Sequence, residues 1–335
     1  MLERTDVPLA PFTTLGLGGP AQRLLTCSDD AEIVDAVRRT RGPLLVLGGG
    51  SNLVLPDDGY DGTVVQIVSR GVDVRRTADA VQVEAQAGES WDAFVLFAVD
   101  EGLAGVECLA GIPGLVGATP IQNVGAYGQD VAQTIVEVRA YDRAADHVQT
   151  LTDCGFGYRW SRFKAEPDRW VVLSVTYRLE LSATAKPVRY GELSRALGQE
   201  QASQARVRSA VLQLRRAKGM VLDPADPDTR SAGSFFTNPV VDAAVAARID
   251  GAPTYPEPDG RVKLSAAWLI EQAGFGKGAF DGPVGISGKH TLALVNRGGG
   301  RTADLLRVAR AIRDGVRARF DIDLVAEPVL VGATL

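Results

Sequence analysis

The segment from Gly105 to Gly128, GVECLAGIPGLVGATPIQNVGAYG, constrains the fold more than any other part of this chain. It holds six glycines, two prolines and a single charge, Glu107. A linker is polar, whereas this segment carries Leu109, Ile112, Leu115, Val116, Ile121 and Val124. It predicts a buried or half-buried loop whose backbone passes close to another surface. Glycine permits such an approach because it lacks a Cβ and tolerates positive φ. A backbone this bare offers many N–H groups that need acceptors, and phosphates and polar ring edges are acceptors of that kind.

Composition limits what such a loop can serve. The 335 residues imply two or three domains, and 45% hydrophobic with 23% charged residues is an ordinary soluble mixture. A formal net charge of −5 argues against nucleic acid or an anionic membrane as the main partner. No apolar run reaches the roughly 20 residues that span a bilayer, and the opening MLERTDVPLAPFTTL has no apolar signal core. Cys27, Cys108 and Cys154 are widely spaced without a CxxC, which predicts buried thiols in a reducing cytoplasm and no metal site. There are two histidines: His147 is expected in an exposed hairpin and His290 at the head of a strand, so histidine-based chemistry is poorly supported.

Read in order, Asp29 and Glu32 form a capping box before the helical face Ile33, Val34 and Val37. A buried strand, 43–47, then breaks into Gly48, Gly49, Gly50, Ser51 and Asn52. A dinucleotide fingerprint needs a third glycine at position 53, which is Leu53, and no GK[ST] follows for a P-loop. An anion-binding turn with Ser51 and Asn52 as donors and an ordinary β-turn both remain. Strands are expected within 63–86, at 134–141, 147–151 and 170–181, with a helix capped by Ser90. Between the last two strands, GYRWSRFK crowds Arg159, Arg162 and Lys164 beside aromatics, as solvated charge or as an anion-handling loop. Ser203 opens a helix with Val207, Ala210, Val211 and Leu214 inward, its arginine face reading as solvated. Residues 223–228 read as a linker. GSFFTNP at 233–239 reads as a rigid turn, helices follow at 264–273 and 302–320, and the chain ends in a strand, 324–331. Glu327 sits in that strand among apolar residues, either facing outward or functional.

LGGGSN at 47–52, GIPGLVGATPIQNVGAYG at 111–128, GYRWSRFK at 157–164, GSFFTNP at 233–239 and AEP at 326–328 occur in one order over nearly the whole chain. Together they resemble the UDP-N-acetylenolpyruvoylglucosamine reductase (MurB) family of peptidoglycan synthesis. The resemblance implies an α+β protein of three domains: a small α/β N-terminal domain (1–69), a second FAD-binding subdomain (70–220) of the vanillyl-alcohol-oxidase/MurB (PCMH-like) type, and an α+β substrate-binding domain (221–327). The final strand, 328–335, returns to the N-terminal part.

The implied activity is UDP-N-acetylmuramate dehydrogenase, which passes hydride from NADPH to FAD and on to the vinyl carbon of UDP-N-acetylglucosamine enolpyruvyl ether. Non-covalent FAD is implied, since neither glycine stretch holds a histidine. By resemblance the cofactor contacts are Gly48, Gly49, Gly50, Ser51, Asn52, Leu53, Gly111, Ile112, Gly114, Gly117, Ala118, Pro120, Gln122, Asn123, Gly125, Ala126 and Tyr127. The catalytic residues are Arg159, Ser234 as proton donor, and Glu327. Tyr190, Lys218, Asn238, Tyr255 and Gln272 correspond to positions that hold the UDP-sugar. Two departures stand out: Gly219-Met220 where the family has an apolar residue and proline after its lysine, and Thr237 where many members are basic. A cytoplasmic enzyme, monomer or weak dimer, without membrane or nucleic-acid partner is expected. An FAD-dependent oxidase of the same fold, acting on a sugar or hydroxy acid, is the alternative.

Overall fold

A computed structural model describes residues 1–76, 80–188, 190–198 and 201–335. They form two units. The first comprises Met1–Val7, Ala21–Gly49 and Tyr60–Ala217, and the second Pro8–Pro20, Gly50–Gly59 and Lys218–Leu335.

In the first unit only half of the expected capping box forms, since Glu32 reaches the residue before the cap rather than the cap itself. Asp29 accepts from the Glu32 amide at 2.9 Å, and the Glu32 carboxylate accepts from the Ser28 amide at 2.8 Å. The helix they start, Asp30–Arg39, buries Ile33, Ala36 and Val37 and connects parallel strands. Those strands belong to a four-stranded sheet ordered Leu2–Pro8, Pro20–Cys27, Tyr60–Ile67, Leu44–Leu47.

A larger antiparallel sheet runs His147–Leu151, Ile135–Asp142, Trp170–Leu181, Val81–Gln86, Val72–Arg76. Residues 77–79, within the expected 63–86 strand region, lie outside the described residues. Trp170–Leu181 is central and buried along its first eight residues, which is why it reads WVVLSVTY rather than as an alternating strand. Ser90 accepts from the Ala93 amide at 3.5 Å to cap helix Trp91–Asp100. That helix packs Trp91 and Phe94 on Tyr177 of the central strand, with ring centroids 5.8 and 4.7 Å away.

Helix Gln204–Ala217 buries Val207, Val211 and Leu212. Its arginine face is exposed at Arg206 and Arg216 but departs from the solvated reading at Arg208, whose side chain is 18% exposed and donates to Asp92 at 3.1 Å. Burial also lowers the Arg215 guanidinium to about 10.

The second unit carries two three-stranded sheets, one of Ser231–Ser234, Ala293–Asn296 and Val284–Ile286, the other of Val240–Val241, Val262–Leu264 and Thr254–Pro256. Helix Thr302–Phe320 lays Leu305, Val308, Ala309, Ile312 and Val316 into a core with Phe235, Phe236, Leu269, Ile286 and Leu294. Segments 8–20 and 50–59 belong here for visible reasons. Leu15, Leu17 and Val54 join this core, and Asn296 Nδ2 donates to Leu15 O at 3.0 Å. The Thr302 and Ala303 amides donate to the Asp57 carboxylate at 2.7 and 3.0 Å.

Three local expectations change. His290 lies in a turn, ahead of the strand Ala293–Asn296. The terminal strand shrinks to Val329–Leu330, parallel to Leu53–Val54, because 324–327 makes only an isolated bridge, Phe236 to Ala326. GSFFTNP begins as the end of a strand, with both phenylalanines buried, rather than as a turn throughout.

Candidate active-site loops

In the first unit the glycine stretch is pinned to the core from both sides. The Trp91 indole donates to Leu109 O at 3.0 Å, and the Tyr177 hydroxyl shares a 2.7 Å hydrogen bond with Thr119. Its one charge folds inward: Glu107 is fully buried and takes the Gly105 amide at 2.6 Å and the Lys186 amide at 2.8 Å. Asp92, which nothing in the sequence ties to this stretch, takes the Gly111 amide at 2.7 Å.

Close approach is real at Gly49, Gly50, Gly117 and Gly125 among the expected cofactor glycines. A Cβ on Gly49 would stand 2.8 Å from Gly114 Cα, and one on Gly117 would stand 2.5 Å from Ala87 Cβ. Gly48 sits against Leu115 in the same way, more loosely. The expected cofactor turn is itself divided: Gly48 and Gly49 belong to the first unit and Gly50, Ser51, Asn52 and Leu53 to the second.

From residue 119 the stretch becomes the short helix Thr119–Gln122, holding Pro120, and then a two-residue strand, Gly125–Ala126. Asn123 and Tyr127 both adopt left-handed backbone, at φ 44° and 51°. Non-glycine residues rarely do so, and such strain clusters at functional loops.

The GYRWSRFK loop docks on this half of the stretch. Arg159 donates to Asn123 O at 3.3 Å and Gly125 O at 2.7 Å. Asn123 Nδ2 donates to Gly157 O at 2.8 Å, and Ser161 Oγ to Ile121 O at 2.7 Å. Arg159 too is left-handed, at φ 52°. Of the two sequence readings, solvated charge fails for Arg159, whose guanidinium is lodged against two carbonyls. Tyr158 and Trp160 on either side of it are 42% and 50% exposed.

Tyr190 packs edge-on against Tyr127 with centroids 5.4 Å apart, and burial pushes the Tyr127 hydroxyl up to about 12. Ile112 is half-buried and Ala118 exposed, while Gln122 is buried.

In the second unit Ser234 ends the strand Ser231–Ser234. The register to Ala293–Asn296 slips between Ser231 and Ser234, and Gly233 sits there at φ 75°. This glycine bulge re-aims the residue that follows it. The Glu327 amide donates to Phe235 O at 2.9 Å. Asn52 Nδ2 reaches Glu327 O at 3.5 Å, and the Val329 amide donates to Asn52 O at 2.9 Å. Asn52, the Ser234–Phe235 segment and Glu327 are thus joined through the backbone.

Asn238 accepts from the Ala266 amide at 2.9 Å, at the start of helix Ala266–Gln272, whereas Gln272 is its last residue. The two stand at opposite ends of a helix roughly 10 Å long. Tyr255 is 48% exposed. Lys218 is half-buried, and Gly219 after it has φ 65°, with its added Cβ 3.0 Å from Asp228 O. The departure from the apolar-proline pattern therefore marks a left-handed turn that ends helix Gln204–Ala217. No helix among the described residues is long and apolar enough to cross a membrane, and no group of three or more potential metal ligands occurs among them.

Comparison with known proteins adds an independent line. Residues 224–331 match the family described as UDP-N-acetylenolpyruvoylglucosamine reductase, C-terminal domain, and residues 21–152 match the FAD binding domain family. The UDP-N-acetylenolpyruvoylglucosamine reductase of Thermobifida fusca is 57% identical over 350 residues, covering 98% of both proteins. That of Streptomyces coelicolor is 54% identical, covering 99% of this chain and 91% of the relative. The crystal structure of the corresponding enzyme from Thermus caldophilus superposes with a TM-score of 0.70 at 26% identity, over 98% of this chain and 99% of that one.

Proposed function

The chain belongs to the UDP-N-acetylenolpyruvoylglucosamine reductase family, and from that premise we propose that it reduces UDP-N-acetylglucosamine enolpyruvyl ether to UDP-N-acetylmuramate with NADPH, in the cytoplasmic part of peptidoglycan synthesis. The observation that carries this reading is full-length similarity to reductases of that name.

The glycine stretch and the Gly48–Leu53 turn suit non-covalent FAD. The stretch is free of outward charge, it brings backbone close at Gly49 and Gly117, and no histidine stands in it for covalent attachment. Gly48–Leu53, Gly114, Gln122, Asn123, Gly125, Ala126 and Tyr127 would hold it. The Gly111, Gly117 and Ala118 amides are engaged with Asp92, Ala87 and Leu115, so in this proposal they shape the loop. FAD, when bound, supplies the hydride for the vinyl carbon.

Hydride addition there leaves negative charge on the adjacent carbon and, by conjugation, on the carboxylate. Arg159 suits that carboxylate as a planar, bidentate donor. Ser234 donates the proton to the adjacent carbon; as a weak acid it serves only against so basic a carbanion. Glu327 orients the carboxylate or relays the proton. Lys218, Tyr190, Tyr255, Asn238 and Gln272 hold the nucleotide sugar. Asn238 does so through its NH2 end, because its oxygen already caps a helix.

The test is spectroscopic. The purified protein should be yellow, and a colourless protein that cannot be reconstituted with FAD rules out both this reading and the oxidase. Anaerobic flavin reoxidation should require the enolpyruvyl ether; oxygen consumption without it favours the oxidase. Ser234→Ala should leave reduction by NADPH near normal and slow reoxidation by about 10²–10³. Equal loss in both half-reactions removes Ser234 as proton donor.

A further inference from the structure

Lys164 is the cation of the GYRWSRFK loop that neither the reading above nor surface solvation absorbs. Its ammonium donates to Gln122 Oε1 at 3.0 Å and to Arg159 O at 3.1 Å. Its own amide donates to Ser161 Oγ at 3.2 Å, and that hydroxyl donates to Ile121 O at 2.7 Å. Lys164 is therefore tied through backbone to residue 121 and through its side chain to residue 122, with Arg159 enclosed between.

Two consequences follow from donor chemistry. An ammonium has three donors and no acceptor, so the end of the Gln122 amide facing it must be the oxygen. The other end is then an NH2, fixed as a donor. Gln122 is buried, so the orientation of this amide is set by protein rather than by water.

The second consequence concerns Arg159. Its backbone is left-handed at φ 52°, a conformation an arginine keeps only where its surroundings over-determine it. The guanidinium is held by Asn123 O and Gly125 O. The Lys164 ammonium holds the carbonyl at the other end of the same residue.

We propose that Lys164 is a positioning residue: it fixes the amide orientation of Gln122 toward the cofactor and holds Arg159 in the left-handed conformation that presents its guanidinium to the substrate carboxylate. This rests on the reading of the site as an FAD-dependent reductase of a carboxylate-bearing enol ether. Lys164 thus acts through Gln122 and Arg159 rather than in the chemistry itself.

The experiment compares the FAD-loaded wild-type protein with Lys164→Met, Lys164→Arg, Arg159→Met and the double variant Lys164→Met/Arg159→Met. The flavin absorption spectrum and each half-reaction are recorded under anaerobic conditions. Lys164→Met is near-isosteric and cannot donate. It should retain FAD, shift the flavin bands because the Gln122 oxygen loses its ammonium donor, and slow reoxidation by the enolpyruvyl ether by about 10–100-fold, the range seen for partners that orient metal ligands. Lys164→Arg should recover most of that loss, because a guanidinium can serve both acceptors. The double variant should be no slower than Arg159→Met alone, since a residue acting through Arg159 adds nothing once Arg159 is gone.

Multiplying effects in the double variant, or Lys164→Met reoxidation within about twofold of wild type, overturn the proposal. If wild-type flavin is not reoxidised by the ether at all, the proposed reaction has failed. The spectrum then decides for Lys164: a band shift in Lys164→Met that Lys164→Arg reverses supports its hold on Gln122, and an unchanged spectrum overturns it.

Discussion

Gly117→Ala tests the close packing of the glycine stretch directly. Gly117 donates its amide to Ala87 O at 2.9 Å, and Ala87 donates its own to Leu173 O at 2.8 Å, so the loop is stitched to the end of the central sheet. A Cβ added to Gly117 would lie 2.5 Å from Ala87 Cβ, 3.0 Å from Ala87 Cα and 3.1 Å from Ala87 O. Carbon atoms rest at about 3.5–4.0 Å, and none of these neighbours is the end of a flexible side chain. Overpacking of this kind costs about 1–3 kcal/mol. Replacing glycine by alanine also stiffens the unfolded chain, which offsets about 0.4–1 kcal/mol. The clash wins, and the net loss should lower the unfolding midpoint by about 2–4 °C per kcal/mol for a unit of roughly 200 residues. Ala87→Gly removes the nearest offending atom and should itself cost about 1 kcal/mol. Joined with Gly117→Ala, it should destabilise by less than the sum of the single changes, by at least about 0.5 kcal/mol. Denaturant midpoints followed by tryptophan fluorescence give the free energies, and the ratio of flavin to protein absorbance gives the occupancy. Strict additivity, or a Gly117→Ala protein as stable as wild type, would refute the steric argument.

Other outcomes follow from single sites. Asp142 accepts from Arg169 at 2.8 Å and from the Ala144 and Ala145 amides, and these hold its carboxyl near about 2. A folded-state value below the unfolded one stabilises above the ordinary carboxylate range, so that contribution should fade as pH falls from about 4 toward 2. Asp142→Asn should remove that part of the pH dependence of the denaturation midpoint. Burial pushes the thiols of Cys108 and Cys154 up, to about 12 and about 11, and raises Cys27 as well. Iodoacetamide at pH 8 should therefore leave all three intact in native protein and alkylate them after denaturation, as mass spectrometry would show. Asp57→Ala should cost about 1–2 kcal/mol in a denaturant titration, because it strips both amides at the start of helix Thr302–Phe320, whereas Asp57→Asn should lose less.

The periodic elements were legible for simple reasons. Asp29, Glu32 and Ser90 carry cap chemistry, and Thr302–Phe320 repeats its apolar residues at the helical period, so local pattern and tertiary burial agree. The chain end was not legible. Leu324–Val331 has strand composition, but the neighbouring backbone pairs with it only at Ala326 and at Val329–Leu330. The assignment of 8–20 and 50–59 to the second unit was equally hidden. It depends on Asp57 meeting a helix start 245 residues later and on Asn296 reaching Leu15 across 281 residues, and no local pattern encodes such separations.

The glycine stretch shows how a sequence signal divides once structure is known. Bare backbone suggested amides waiting for a ligand, yet the first half uses many of its own within the protein: Gly105 on Glu107, Cys108 on Gln129, Gly111 on Asp92, Val116 on Glu89 and Gly117 on Ala87. There the glycines serve protein packed on protein, and Gly117 is needed because Ala87 is near. The second half differs. From Asn123 to Tyr127 the backbone holds two left-handed non-glycine residues, and the facing loop supplies a third, Arg159, whose guanidinium closes on Asn123 O and Gly125 O. Conformations that cost about 1–3 kcal/mol each are retained where surrounding contacts enforce them. Here the enforcing contacts are the Asn123 amide, Ser161 and Lys164, of which composition singles out only Lys164, and that as one of three crowded cations. Residue type pointed to Arg159, but its placement comes from a hydrogen-bond network between two segments about 35 residues apart, and that network is where substitutions should separate fold from catalysis.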